Sequence, residues 1–319
     1  MARLIHAISP VGGTGNRLDL ELVCPLLEEN GFKVVPYPVA DRSGSGRLRE
    51  MARRLIRFRR RFDINLFLGP LFPEWLPFAS KNVWIPNVEG FHEHQRKFLP
   101  RIDLVLAKTR LTERIFRSLG RPVEYIGFTT PDRLDEKIPR DYTRFFHAGS
   151  SPLKGTKRLL EVWQAHPEWP ELTAVIHTDI PGFDRPNIRA IREYLPEAEV
   201  RRLQNATGIH LCCSEAEGFG HYIMEALGCG AVTFTTNGPP MNELVQPSRG
   251  VLVDCLEETP PLGLSHRYFF RPESLEAEVE RVRKLDAASL RQLGAAARAF
   301  FLENDRLFRR RFIDVMRSL

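Results

Sequence analysis

Only five of the 319 residues are cysteine, and the number is odd. No two of them (Cys24, Cys212, Cys213, Cys229 and Cys255) stand in a C-x-x-C spacing. That leaves no disulfide framework, zinc ribbon or dithiol redox motif, and the five read as reduced small hydrophobes. The adjacent pair Cys212-Cys213 would point to opposite faces of a strand. No apolar run approaches the roughly 18 residues that a transmembrane helix needs. No aspartate stands two residues from another, so D-x-D, a common clamp for a divalent cation, is missing. No metal site and no cofactor are expected. Low-complexity segments are missing too.

What is present is an ordinary globular composition, 43% hydrophobic and 27% charged. The length is about twice that of a typical domain, so two domains are the natural expectation. The start, Arg3-Leu4-Ile5-His6-Ala7-Ile8, reads as a first β-strand rather than a leader, and a cytoplasmic protein is expected. The net charge of +6 is concentrated, because Arg47 to Arg61 holds eight arginines and one glutamate. Such density attracts an anionic membrane, a nucleic acid or a phosphorylated substrate, unless it is simply a solvated helix face.

The first half alternates strand-like and helix-like segments. Strands are predicted at Leu4–Ser9, Phe32–Val39, Ile64–Leu68, Asn82–Ile85, Leu104–Ala107 and Val123–Ile126. Helices are predicted at Leu18–Leu27, closed by Gly31 as a cap, and at Arg47–Arg61. A polar stretch with proline, Thr129 to Asp141, is the best linker. It suggests an N-terminal domain over 1–135 and a C-terminal domain over 136–319, whose last helix packs back on the first. The second series has strands at Phe145–Ala148, Leu172–His177, His210–Cys213, Ala231–Thr235 and Gly250–Asp254. Its helices are predicted at Gly155–Trp163, His221–Leu227, Ser274–Leu285 and Ala288–Phe301. Short apolar strands alternating with helices imply α/β domains with parallel sheets covered on both faces. Two such Rossmann-like domains would bind ligand at the carboxyl ends of their strands.

The densest chemistry lies in Ser214-Glu215-Ala216-Glu217-Gly218-Phe219-Gly220-His221-Tyr222-Ile223-Met224-Glu225. It follows a strand and opens a helix, whose N-terminal amides favour an anion. Glu217 precedes the helix, and Glu225 lies about a turn and a half into it. Carboxylates beside an anion site make sense if they accept hydrogen bonds from sugar hydroxyls while amides hold phosphate.

Glu217 and Glu225 match the E-x7-E motif, and here the chain resembles the GT-B retaining glycosyltransferases, specifically glycosyltransferase family 4. Gly238-Pro239-Pro240-Met241-Asn242-Glu243-Leu244-Val245 resembles the family's loop before its late strand, here Gly250-Val251-Leu252-Val253. His147-Ala148-Gly149-Ser150-Ser151-Pro152-Leu153-Lys154-Gly155-Thr156 resembles the segment that opens the family's second domain. The ordered set covers most of 145–255. The first domain matches only in outline, through Gly12-Gly13.

The resemblance implies the GT-B fold, a UDP- or GDP-sugar donor and retention of anomeric configuration. It implies that Glu225 accepts from the ribose hydroxyls. Glu217, with the amides of Gly218, Phe219 and Gly220, would hold the donor sugar. Lys154 would neutralise the diphosphate, approached by amides near Met241 and Asn242 and by the Gly12-Gly13 loop. Family members usually carry an arginine where this chain has Ser150, so Arg17, Lys157 or Arg158 would have to supply that charge. Basic side chains and helix-end amides can do the work of a metal clamp.

In the first domain, Pro86-Asn87-Val88-Glu89-Gly90-Phe91-His92-Glu93-His94 follows a strand. Glu89, His92 and His94 are candidates for acceptor or sugar contacts, His92 being the histidine that family members often place near the donor sugar. The alternative is a polar loop with incidental histidines. For the acceptor, a lipid-linked glycan at an anionic membrane ranks first, reached through Arg53, Arg57 and Arg60 of the basic helix. A hydroxymethylated base in nucleic acid ranks second, and a small molecule or protein third. A non-catalytic nucleotide-sugar-binding module, a GT-B-like phosphorylase and an epimerase are the other classes.

Overall fold

A computed structural model of the chain describes residues 2–11, 14–39, 62–149, 151–176, 180, 183 and 185–319. Gly12, Gly13, Ser150 and the predicted helix Arg47–Arg61, with Arg53, Arg57 and Arg60, lie outside the described residues. Two compact units emerge, Met1–Phe128 with Arg306–Leu319, and Thr129–Asp305.

The first unit is built on β1 (Leu4–Pro10), α1 (Thr14–Glu29), β2 (Lys33–Val39), β3 (Phe62–Leu68), β4 (Ala79–Ile85), β5 (Leu104–Ala107), α2 (Arg110–Ser118) and β6 (Val123–Tyr125). Its six strands run parallel in the order β2-β1-β3-β4-β5-β6. Ile5, Ala7 and Ile8 of β1 and Leu66, Phe67 and Leu68 of β3 are all fully buried, as central parallel strands require. Gly31 ends α1 with φ +86°, and the amides of Gly31 and Phe32 donate to Glu28 and Leu27. That is the left-handed cap the sequence suggests, a conformation glycine adopts without a Cβ penalty.

The second unit holds β7 (Asp141–Ala148), α3 (Thr156–Ala165), β8 (Leu172–Val175), β9 (Ile188–Ile191), α4 (Glu197–Ala206), β10 (Thr207–Cys212), α5 (His221–Gly228), β11 (Val232–Thr236), α6 (Met241–Leu244) and β12 (Val251–Val253). A hairpin follows, β13 (Cys255–Leu262) with β14 (Ser265–Phe270), then α7 (Pro272–Arg283) and α8 (Ala287–Ser318). The sheet is again six parallel strands, ordered β12-β11-β10-β7-β8-β9. Phe145, Trp163, Leu211, Phe234 and Val279 belong to one buried core, with the Phe145 and Trp163 rings edge to face at 4.8 Å.

Several elements differ from the sequence reading. The final helix continues to Ser318 rather than stopping at Phe301. Phe308, Phe312 and Met316 repeat every fourth residue on one buried face, and Phe308 meets Phe128 at 4.9 Å. β7 starts at Asp141, inside the expected linker, because Asp141 already pairs with Thr207 of β10. β9, α4, α2 and the β13–β14 hairpin are additions. Among the described residues no helix is long and apolar enough to cross a membrane.

Candidate functional site

In the second unit the chain moves outward from β7 through β8 to β9, then returns to lay β10, β11 and β12 on the other side of β7. The order therefore reverses between β7 and β10. Loops leaving the carboxyl ends of two such strands diverge and open a crevice, the usual ligand position in open α/β sheets. Lys154 lies on the loop after β7, Glu217 on the loop after β10, and their side chains meet at 2.5 Å. Each is mostly shielded, with side-chain exposures of 17% and 12%.

Backbone geometry forces this meeting. Gly155 follows Lys154 with φ +65°, and a Cβ there would stand 2.5 Å from the carbonyl oxygen of Cys213. The Glu215 amide donates to the Leu153 carbonyl at 2.8 Å, tying the two loops directly. Below them, His147 is fully buried. Its Nδ1 meets the Leu211 carbonyl at 2.7 Å, and its Nε2 meets the Thr156 hydroxyl at 2.9 Å. A carbonyl only accepts, so Nδ1 carries the proton and Nε2 accepts from Thr156. Burial pushes the His147 pKa down to about 4, so the ring is a neutral strut between β7, β10 and the start of α3.

The Glu217 carboxylate is the hub of a directed network. Ser214 donates to its Oε1 at 2.5 Å, and the Tyr222 hydroxyl lies 2.5 Å from Ser214 Oγ. Ser214 has one proton and gives it to the carboxylate, so Tyr222 donates to Ser214. Burial holds the Tyr222 phenol well above its ordinary pKa, which keeps that proton in place. The Lys154 ammonium sits 3.7 Å from the centroid of the Tyr222 ring, a cation–π contact. Lys154 also bonds Oε1, and among the described residues Oε2 carries no hydrogen bond.

Glu225, the fifth residue of α5, is 9% exposed. Gln204 Nε2 donates to its Oε2 at 2.8 Å, and Arg133 Nη1 lies 3.5 Å from its Oε1. The Cys212 thiol at the end of β10 is held well above its ordinary pKa, chiefly by burial, and both Glu217 and Glu225 add to the shift. Burial raises the other four thiols as well, those of Cys24, Cys213 and Cys229 to about 12, which keeps all five protonated.

Gly218, Phe219 and Gly220 complete the loop, all buried, with Gly220 at φ +106° beginning α5. A Cβ on Gly220 would press on Ile223 and Leu244 at 3.1 and 3.2 Å. Met241, buried, and Asn242 open α6 at the same carboxyl edge, after β11. Lys157 is exposed beside Glu161, while Arg158 lies over the Phe269 ring and points to the Phe270 carbonyl, so both already have partners.

The sequence reading missed the hairpin as part of this site. Arg267 of β14 pairs with Glu215, the Tyr268 amide donates to the Glu215 carbonyl at 2.7 Å, and the Tyr268 ring fills the space beside Gly238. It thus braces the loops after β10 and β11 together. Ser214 and Tyr222 were inside the quoted motif but had no assigned role. Arg133 and Gln204 carried no local signal.

In the first unit, Glu89 lies in a short 3-10 turn after β4, and His92 and His94 are exposed with rings stacked at 5.6 Å. Glu93 between them is bound to Arg96 at 2.5 Å. The same sheet edge holds a pair that the sequence did not flag. Lys108, at the end of β5, donates to Asp19 at 2.7 Å and to Asn87 at 3.0 Å, with Lys108 and Asp19 almost fully buried.

No family model matches the sequence, and no curated protein matches it. Solved structures do. Sucrose-phosphate synthase from Thermosynechococcus elongatus superposes with a TM-score of 0.75 at 14% identity, covering 99% of this chain and 98% of that one. HepE from Anabaena, in complex with UDP-glucose, superposes with a TM-score of 0.68 at 15% identity over 99% of this chain and 100% of that one. A glycosyltransferase from Rickettsia africae ESF-5 gives 0.67 at 14% identity, covering 99% and 98%. At these identities the likeness is one of fold: two Rossmann-like units with six-stranded parallel sheets, the GT-B class expected from the sequence.

Proposed function

We propose that this protein is a glycosyltransferase that moves a sugar from a nucleotide-sugar donor to a hydroxyl acceptor. The observation that carries the proposal is the Lys154–Glu217 pair across the strand-order reversal, with Oε2 of Glu217 still available. Lys154 has three donors and spends one on Glu217, so the rest can face a diphosphate. Glu217 offers its second oxygen to sugar hydroxyls, and Glu225 accepts from the ribose. The UDP-glucose complex of the structurally similar HepE supports this choice of donor class.

In the reaction the bond from the anomeric carbon to the diphosphate oxygen breaks, and a bond from the acceptor oxygen to that carbon forms. The acceptor proton passes to a donor phosphate oxygen, which places the new bond on the face the leaving group occupied and retains configuration. Lys154 and the amides of the Gly218–Gly220 turn stabilise the charge growing on the departing phosphate. Since D-x-D is missing from the sequence, these groups act without a metal clamp. Gly12 and Gly13 are assigned to the diphosphate as well. Glu89, His92 and His94 contact the acceptor or sugar. The acceptor is a lipid-linked glycan, reached when Arg53, Arg57 and Arg60 rest on an anionic membrane at the cytoplasmic face.

A panel of UDP- and GDP-sugars, read by thermal shift and by release of nucleoside diphosphate, tests the donor. One donor should stabilise the protein, and Glu225→Ala should abolish that shift. Stabilisation by no donor, or an unchanged shift in Glu225→Ala, rejects the proposal. Co-sedimentation with anionic liposomes and with DNA at two salt concentrations tests the acceptor side. Preference for DNA would overturn the membrane assignment.

A further inference from the structure

Glu225 is held at both ends by side chains that no sequence motif singled out, and both depend on α4. Gln204 of α4 reaches Oε2 at 2.8 Å and Arg133 faces Oε1 at 3.5 Å. Arg133 belongs to the irregular segment before β7, and α4 fastens that segment in place. Arg201 donates to the Arg133 and Leu134 carbonyls at 2.9 and 2.8 Å. Asn205 donates to the Arg133 carbonyl at 2.8 Å and accepts from the Asp135 amide at 2.8 Å. Glu197, at the start of α4, takes the Arg133 guanidinium as well. Gln204 and Asn205 are 2% and 0% exposed, so the buried face of this helix is built of amides aimed at Glu225 and at the 133–135 segment.

Buried polar groups are costly unless satisfied, and Gln204 Oε1 and Arg133 Nε and Nη2 have no hydrogen-bond partner among the described residues, so stability alone does not account for the cluster. A glutamate on a helix otherwise samples several rotamers, and ordering it on ligand binding costs affinity. Here the carboxylate is fixed beforehand. Its two oxygens offer about four acceptor positions. Gln204 takes one position on Oε2, and Arg133 faces Oε1 as an ion-pair partner, so positions on both oxygens remain for a diol.

We propose that Arg133 and Gln204, set by α4, are positioning residues that hold Glu225 as a preformed diol acceptor and so make the site select ribose. The inference rests on the donor reading of Glu225 given above. Arg133 acts through Glu225.

The test is equilibrium binding of UDP and 2′,3′-dideoxyUDP, and of GDP and 2′,3′-dideoxyGDP, to the full chain. The wild type should favour one ribonucleotide over its dideoxy analogue by about tenfold or more, the size of a lost charge-assisted hydrogen bond. Arg133→Met should bring that ratio to roughly 1–3 while leaving affinity for the dideoxy analogue unchanged, and Arg133→Lys should restore part of it. In a Glu225→Ala background, Arg133→Met should change nothing further, since the two act as one unit. If Arg133→Met does not fold, Gln204→Leu carries the test, with a reduction of the ratio by about threefold. A wild type that binds neither pair, or ignores the hydroxyls, overturns the donor reading and this inference with it. A wild type that discriminates, with Arg133→Met or Gln204→Leu keeping its ratio, overturns this inference alone. So does a loss in Arg133→Met that is equal for ribo- and dideoxynucleotide, or one that persists without Glu225.

Discussion

Replacing Lys154 with methionine keeps most of the side chain's bulk and removes the charge facing Glu217. The lysine stands 2.5 Å from Oε1 and 3.7 Å from the Tyr222 ring centre, with side-chain exposures of 17% for Lys154 and 12% for Glu217. Breaking a fully buried pair costs about 3–5 kcal/mol, because the remaining charge is stranded. Partial exposure lets water reach the stranded carboxylate, so a loss of about 2 kcal/mol is expected here. Glu217→Gln strands the lysine instead, keeps the Ser214 contact and should cost about 1–2 kcal/mol. The double variant Lys154→Met/Glu217→Gln leaves no unpaired charge and should return to within about 1 kcal/mol of wild type. Function separates from stability in the same set. Lys154→Met should weaken UDP binding by about tenfold or more, whereas Glu217→Gln should keep UDP and lose transfer from the UDP-sugar. Urea midpoints, with UDP titrations on the same samples, supply both readouts. A Lys154→Met protein as stable as wild type, or a double variant less stable than either single one, would refute the ion-pair argument.

Two further outcomes follow from the second unit and its loops. Gly155→Ala should lose more than about 2 kcal/mol, since its left-handed backbone costs about 1–2 kcal/mol with a Cβ and that Cβ would overlap the Cys213 carbonyl at 2.5 Å. Gly31→Ala, also left-handed but with nothing within 4 Å, should lose only about 1 kcal/mol in the same denaturation assay, and equal losses would discount the Cys213 overlap. Acid should unfold the protein through its histidines. His147 and His210 are buried and neutral, with pKa values lowered from 6.5 to about 4. The unfolded chain therefore binds protons first, so the stability present above pH 6.5 is lost as pH falls toward 4. Each histidine should contribute roughly 2 kcal/mol of loss between pH 7.5 and 5. His147→Gln should flatten that slope, and an unchanged slope would discount the buried strut.

The central strands were legible because a parallel sheet covered on both faces buries nearly all of their residues, as in β1 and β3. Leu104–Ala107 forms β5 without a residue's difference, and the run of β1 is nearly as close. The glycine-rich turn before α5 was equally plain, since Gly220 at φ +106° marks a backbone that few other residues accept. α4 was not legible. Its buried residues are Leu203, Gln204 and Asn205, so its inner face is mostly polar and gives no apolar period. The extension of α8 past Phe301 was hidden by Glu303-Asn304-Asp305, a polar run that reads as an end. The hairpin was obscured by Pro260-Pro261, which breaks the alternation expected of strands.

The sequence by itself determined which chemical groups exist and which loops carry them. Glu217, Glu225 and Lys154 were singled out through the resemblance to a family motif, on loops and a helix start that local glycine and strand patterns placed. Only the tertiary structure decided the partners. Lys154 and Glu217 lie 63 residues apart and meet because β10 returns to lie beside β7. Arg133 reaches Glu225 because α4 holds a distant loop against it. Hydrogen bonds between side chains remote in sequence leave no periodic trace, and the chain must be folded before they can be read.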